Sequence, residues 1–228
     1  MSIQFPNETE AYRQQRNELL EAEKRMRREL ETLAALRRQL PMGGQLKEDY
    51  VFDEGAKDIS TKGETKQTHF SELFETGKPN LIVYNFMFNP ANETPCPACN
   101  CFMDSLNGLA PHLRSHLNLV LVAKAPIDQF REWAKGRGWQ NHRLLSSFNN
   151  TYNKDYGGED EEGSQLPAIN VFQKNDEGIF HFYNTELLYE ETEPEQHPRH
   201  ADLLWPVWNF LDLTPEGRKD YFPKYDYE

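Results

Sequence analysis

Cysteine is scarce here: three in 228 residues, all between positions 96 and 101, so any sulfur chemistry is concentrated at one point. Long apolar runs are missing. No window approaches a membrane-spanning length, and the start Met1-Ser2-Ile3-Gln4-Phe5-Pro6-Asn7-Glu8 lacks a basic region followed by an apolar one, which gives a cytoplasmic expectation with reduced thiols. Positive charge is in deficit, 25 Lys and Arg against 37 Asp and Glu, for a net charge of −12. That balance argues against nucleic acid as a partner. The one basic cluster, Arg25-Met26-Arg27-Arg28, alternates with Glu21, Glu23, Glu29 and Glu31 and reads as a solvated helix surface. Glycine-rich phosphate loops, a Ser-His-Asp order and paired catalytic carboxylates are also missing. His69, His142, His181, His197 and His200 show no mutual spacing that requires a ligand or a base.

What is present is a mixed, soluble composition with 37% hydrophobic and 27% charged residues, long enough for one sizeable core and an appendage. Residues 8–40 contain neither glycine nor proline. Tyr12, Leu19, Met26, Leu33 and Leu40 recur there at a seven-residue step, with Ala22, Leu30 and Leu36 between them, which predicts a long amphipathic helix. Its stripe suits either packing on the chain's own body or a homodimer contact with a second copy. Pro41 ends it and Gly43-Gly44 begins a connector. The expected division is a helix over 1–42, a domain over 43–215 and a tail over 216–228.

Within the domain, Tyr50-Val51-Phe52 predicts a short strand, 69–74 a short helix, and the apolar run 81–88 a strand. A helix over 96–117 follows, divided by Gly108 and Pro111. A strand at 119–123, a helix at 127–135 and a short strand at 144–146 outline a βαβ unit. The acidic loop 157–163 precedes a β-hairpin that turns at Asn175-Asp176-Glu177-Gly178. A last helix carries Leu203, Leu204, Trp205, Val207, Trp208, Phe210 and Leu211, and 221–228 reads as a polar, frayed tail.

The motif that carries chemistry is Cys96-Pro97-Ala98-Cys99, set just after the strand 81–88. A thiol pair at the start of a helix meets unpaired backbone N–H groups and the positive end of the helix dipole, which favour the reactive thiolate. Pro97 lacks an N–H and suits the first helical turn. Other readings stay open at this point. Cys101 with His112 or His116 can complete a zinc cage, and Met87 and Met103 can assist soft-metal binding of Cu(I) by the cysteines. The thiols can also be buried and inert. No metal ligand is assigned, and no bound cofactor is required. Cys101, a third thiol, points away from Cys99 on a helix and reads as a small apolar residue.

A strand, a C-P-x-C helix, a βαβ crossover and a proline ahead of a hairpin form an order that resembles the thioredoxin fold. The stretch 119–157, with Trp133 and Tyr152-Asn153-Lys154-Asp155-Tyr156-Gly157, is similar to peroxiredoxin-type proteins. Nearly the whole chain resembles one bacterial thioredoxin-like family of unknown function, described as predicted dithiol-disulfide oxidoreductases. The residues carrying that resemblance include Asp49-Tyr50-Val51-Phe52, the run 81–88, Cys96-Pro97-Ala98-Cys99, Tyr183-Asn184-Thr185-Glu186 and the segment 205–215. It implies an α/β thioredoxin-like fold, a central mixed sheet flanked by helices with a long N-terminal helical extension. It also implies that Pro167 is the cis-proline beside the redox pair, the plain alternative being a strand-start proline.

The expected activity is thiol-disulfide exchange, with Cys96 as nucleophile and Cys99 resolving the mixed disulfide, on a protein or small-molecule thiol or disulfide. Peroxide reduction is the alternative. Its P-x-x-x-T-x-x-C signature is met by Pro90 and Thr94, but Cys96 arrives one residue early. The acidic residues Glu159 to Glu162 leave open a preference for basic partners.

Overall fold

The computed structural model describes residues 3–61, 65–194, 196, 199 and 203–227, so His197 and His200 lie outside the described residues. Two units result, Met1–Pro41 and Met42–Glu228. The first is helix α1 (Glu10–Arg38), which the absence of glycine and proline allows to run unbroken. Thr9 caps it by accepting from the Tyr12 N–H at 3.1 Å, and Glu10 at its start and Arg37 and Arg38 at its end complement the helix dipole. Taken by itself, it contains no buried residue.

The second unit contains β1 (Val51–Glu54), β2 (Lys66–His69), β3 (Asn80–Phe86), α2 (Pro97–Arg114), β4 (Asn118–Ala123) and α3 (Ile127–Gly136). It continues with β5 (Leu144–Ser146), α4 (Tyr152–Asp155), β6 (Ala168–Asn175), β7 (Gly178–Asn184) and α5 (Val207–Leu211). Among the described residues seven strands form one sheet, in the order β2-β1-β5-β4-β3-β6-β7. The pairs β3–β4 and β4–β5 are parallel, joined by the crossovers α2 and α3, and the other pairs are antiparallel. This mixed sheet with flanking helices is the expected thioredoxin-like α/β arrangement, with a long helix preceding it.

Strand periodicity sorts the core onto two faces. Tyr84 and Phe86 of β3 and Leu121 and Ala123 of β4 pack with Cys99, Phe102, Phe130 and Trp139 beneath α2 and α3. Leu81, Val83, Val120 and Val122 alternate to the opposite face with Tyr50, Phe52, Phe70, Tyr152 and Phe172. Every residue of β4 is buried, as befits a central strand covered on both sides. The hairpin turn is built by Asn175, whose Oδ1 accepts from the N–H groups of Glu177 and Gly178, and Gly178 takes φ +143°, which suits glycine.

Three expectations change and one strand is added. Helix α2 is not divided: Pro111 lies inside it, and the Asn107 carbonyl that a proline leaves without its helical donor accepts from Asn141 Nδ2 at 3.0 Å. The short helix expected at 69–74 is present as a 3₁₀ helix over Phe70–Leu73, and it is preceded by a strand, β2, that the sequence reading missed. The last helix spans Val207–Leu211 alone, because Pro206 starts it and Leu203 takes φ +65°. Finally, residues 221–227 do not fray as a polar tail. Tyr221 packs on Trp208, and Tyr225 packs on Trp133 with ring centroids 5.4 Å apart.

Candidate active site

The thiol pair sits where β3 hands over to α2, at the carboxyl end of the parallel strands. Two backbone bonds fix the loop there: the Cys96 N–H donates to the Met87 carbonyl at 3.0 Å, and the Ala125 N–H after β4 donates to the Phe88 carbonyl at 2.9 Å. Cys96 is the N-cap residue with extended backbone (φ −67°, ψ 127°), and Pro97 opens the helix, where its missing N–H costs nothing. All three thiols are free.

The two sulfurs of the motif are unequal. Cys96 is half-buried and Cys99 fully buried. The Cys99 thiol donates to the Cys96 sulfur and, with the N–H groups of Cys99 and Ala98, lowers the Cys96 pKa to about 6 against the opposing effect of burial. Burial pushes the Cys99 thiol well up, and the neighbouring Cys96 sulfur adds to that rise. The Tyr84 hydroxyl and the Met87 backbone hydrogen-bond Cys99 and pull weakly the other way. Tyr84, itself buried on β3, has its ionisation pushed well up by burial first and by Cys99 second, so its hydroxyl stays protonated as a donor. At neutral pH this arrangement favours a thiolate at half-buried Cys96 and a protonated thiol at buried Cys99.

A polar network backs the first turns of α2. Asn100 is fully buried; its Oδ1 accepts from Trp133 Nε1 at 2.9 Å and its Nδ2 donates to Asp104 at 3.3 Å. Asp104 also accepts from Trp139 Nε1 and from Arg137, both at 2.7 Å. Arg137 donates onward to the Tyr225 carbonyl at 2.8 Å, while the Tyr225 hydroxyl donates to the carbonyl of Pro95, the residue before Cys96. Thus the C-terminal segment, α3 and the motif loop are tied into one frame. Beside it lies a groove of about 480 Å³ with Phe88 and Trp133 in its wall and Glu93 and Glu132 at its edge.

The other sequence candidates fall as follows. Cys101 is half-buried and faces Tyr221, Trp205 and Asp104; burial raises its pKa. Met103 is buried in the core, and Met87 packs against the same cluster. His112 and His116 are exposed at the far end of α2, and the 1.5 Å rise per residue sets His112 roughly 20 Å from Cys99, too far to complete a cage. Among the described residues no group of three or more His, Cys, Asp or Glu side chains is arranged to hold a metal ion. Pro167 immediately precedes Ala168, which pairs with Asn85 near the carboxyl end of β3, so it lies at the site's end of the sheet. The resemblance implied a cis peptide there, and that is corrected: the described residues contain no cis peptide bond. Around it, the Leu166 N–H donates to the Gly158 carbonyl at 2.9 Å and the Pro167 carbonyl accepts from the Tyr189 hydroxyl at 2.8 Å.

Reading by sequence missed the roles of Tyr84, Asn100, Asp104, Arg137 and Tyr225. The one signal available was spacing: Asn100 and Asp104 stand four apart on the helix that starts at the thiols.

Comparison with curated proteins gives no match. Among solved structures, the chain is similar to the reduced 2-Cys peroxiredoxin of Plasmodium vivax (14% identity over 63% of this chain and 83% of that one, TM-score 0.46). It is also similar to Enterococcus faecalis AhpC (16% identity over 80% and 98%, TM-score 0.46). A third is a peroxiredoxin-like protein from Aquifex aeolicus (14% identity over 64% and 75%, TM-score 0.40). A family model matches residues 2–227, nearly end to end, and the chain therefore belongs to the family described as bacterial protein of unknown function (DUF899).

Proposed function

We propose that this protein is a thiol-disulfide oxidoreductase working through Cys96 and Cys99. The observation that carries the reading is the inequality of the two sulfurs: a half-exposed thiolate with pKa about 6 hydrogen-bonded to a buried thiol in the same helical turn. The Cys96 thiolate attacks one sulfur of a substrate disulfide, and the other substrate sulfur leaves as a thiolate and takes a proton from solvent. Cys99 then loses its proton and attacks Cys96 of the mixed disulfide. The substrate departs as a dithiol, and the chain is left with a Cys96–Cys99 disulfide. Two electrons pass from the chain to the substrate, and the reverse sequence oxidises a dithiol.

Tyr84 assists the second step. Its hydroxyl already faces Cys99 and lowers the cost of the thiolate that must form there. The groove bordered by Phe88 and Trp133 receives the apolar part of the substrate, and Pro167 is the strand-start residue along which a substrate chain lies. The partner is a thiol or disulfide compound, and the chemistry needs no bound cofactor or metal. One chain carries the whole step, so pairing through α1 is not required for it. No helix among the described residues is long and apolar enough to cross a membrane.

The test is trapping. With Cys99→Ser, incubation with glutathione disulfide is expected to leave one mixed disulfide, on Cys96, visible by intact mass and peptide mapping. Cys96→Ser is expected to form none at the motif. An adduct confined to Cys101, or none in either variant, would contradict the assignment.

A further inference from the structure

A second cavity, of about 610 Å³, lies away from the thiols, between the end of β1, α3 and the carboxyl end of α2. Its lining inverts the charge of the chain. Against a net −12 overall, its lining among the described residues gathers Lys57, Lys66, Arg114, Arg131 and Arg143 around two carboxylates, Glu54 and Glu75. Both carboxylates are already engaged. Glu54 takes a two-pronged contact from Arg143 at 2.8 and 3.0 Å and lies 3.3 Å from Lys66, and Glu75 pairs with Lys78 at 2.6 Å, leaving Arg114 at 4.0 Å. Nearby Asp58 turns its carboxylate to Ser60.

The site is built rather than a chance gathering of lysines. Arg131 is clamped by the carbonyls of Ala56, Asp58, Ile59 and Thr61 at 2.5–3.4 Å, which neutralise none of its charge. Its side chain lies so close over Gly55 that a Cβ there would stand 2.4 Å from Arg131 Cδ, so glycine at 55 is what lets the guanidinium occupy this wall. His142, in the same lining and 8% exposed, donates from Nε2 to the Met103 carbonyl at 3.0 Å, and its Nδ1 has no hydrogen-bond partner among the described residues. Burial lowers its pKa to about 4, so at neutral pH the ring is uncharged and its inward Nδ1 is sealed from solvent.

We propose that this cavity is a binding site for a small molecule carrying a phosphate or diphosphate group. Arg114, Lys57 and Lys66 supply the charges that no carboxylate among the described residues fully answers, and Arg131 and Arg143 set the field behind them. The volume falls in the range of small-molecule sites, roughly 300–1,000 Å³, and a concave pocket of that size admits a metabolite rather than a macromolecule. Several cations around one pocket favour a multiply charged anion over a monocarboxylate.

The test is calorimetric titration of the full-length reduced protein with inorganic pyrophosphate at fixed ionic strength. Saturable one-to-one binding is expected, weakened at least tenfold by Lys57→Gln and by Arg114→Gln. Lys57 is exposed at the rim, so its variant keeps the fold and the comparison stays interpretable. Simultaneous Arg25→Gln, Arg27→Gln and Arg28→Gln, on α1, is expected to change nothing. No saturable binding, affinity untouched by the cavity variants, affinity lost with the α1 variant, or equal binding of succinate would each overturn the proposal.

Discussion

Helix α2 begins at the thiol pair and ends at Arg114, and its two ends are held in different ways. At the first end, Cys99 and Asn100 are fully buried, and each polar atom is matched to a particular partner: Tyr84, Trp133, Asp104. At the other end a proline interrupts the hydrogen-bond ladder, one outside side chain repairs it, and His112 is exposed while Leu113 and Arg114 are only half-buried. The contrast shows where precision is needed. A sulfur whose reactivity depends on a few directed hydrogen bonds must be held by groups that cannot shift, whereas a helix end whose task is to close a crossover accepts a substitute donor.

The sharpest way to break that contrast is to titrate the first end. Alkylation of Cys96 by iodoacetamide is expected to follow its thiolate, with a midpoint near pH 6. The rate falls about tenfold for each pH unit below that and reaches a plateau above it, instead of rising until the ordinary thiol value near pH 8.5. The sign for stability follows. A pKa lowered on folding contributes stability to the reduced protein that is fully present above the unfolded value and is lost as pH falls through about 6. A midpoint near 8.5 would mean that the hydrogen bonds from the Cys99 thiol and the Cys99 and Ala98 N–H groups do not act on Cys96.

Next in size is the network behind the thiols. Asp104→Ala strands the N–H groups of Trp139 and Arg137 and is expected to cost about 1–3 kcal/mol, read from urea unfolding. Tyr84→Phe keeps the packing and removes only the hydroxyl at Cys99. It is expected to slow release of the mixed disulfide several-fold while leaving the first attack by Cys96 unchanged, a separation that rapid-mixing kinetics resolves. An equal loss in both steps would make Tyr84 a packing residue only.

The far end should give the smallest effect. Asn141→Ala frees the Asn107 carbonyl and is expected to cost about 1 kcal/mol. Combined with Pro111→Ala, whose new N–H can supply that carbonyl, the loss should be recovered, and the coupling is measured by a double-mutant cycle. Strict additivity would show that Asn141 does not replace the proline's missing donor.

These differences also explain what could be read from the residues alone. Strands β3 and β4 were legible because their apolar residues fill both faces, and the hairpin because Asn175 and Gly178 are what its turn requires. The C-x-x-C pair and its place after a strand were legible from spacing. Strand β2 was not, since within Lys66–His69 only Thr68 is buried, and its order comes from pairing with β1. Asp104 and Arg137 drew no role from the sequence because nothing local shows that a tryptophan N–H and a C-terminal carbonyl will meet them. Tyr225 reads as tail because its partners, Pro95 and Trp133, lie 130 and 92 positions earlier in the chain. Local chemistry was visible; contacts closed by the fold were not.

The most direct measurement is intact mass with thiol counting on the metal-free protein, before and after a mild oxidant, for the parent, Cys99→Ser and Cys101→Ser. The parent and Cys101→Ser are expected to lose two hydrogens and two free thiols, with Cys101 remaining reactive in the parent, and Cys99→Ser is expected to lose neither through an internal bond. Thiols that all stay free, or a disulfide that persists without Cys99, would contradict the assignment of Cys96 and Cys99 as the redox couple.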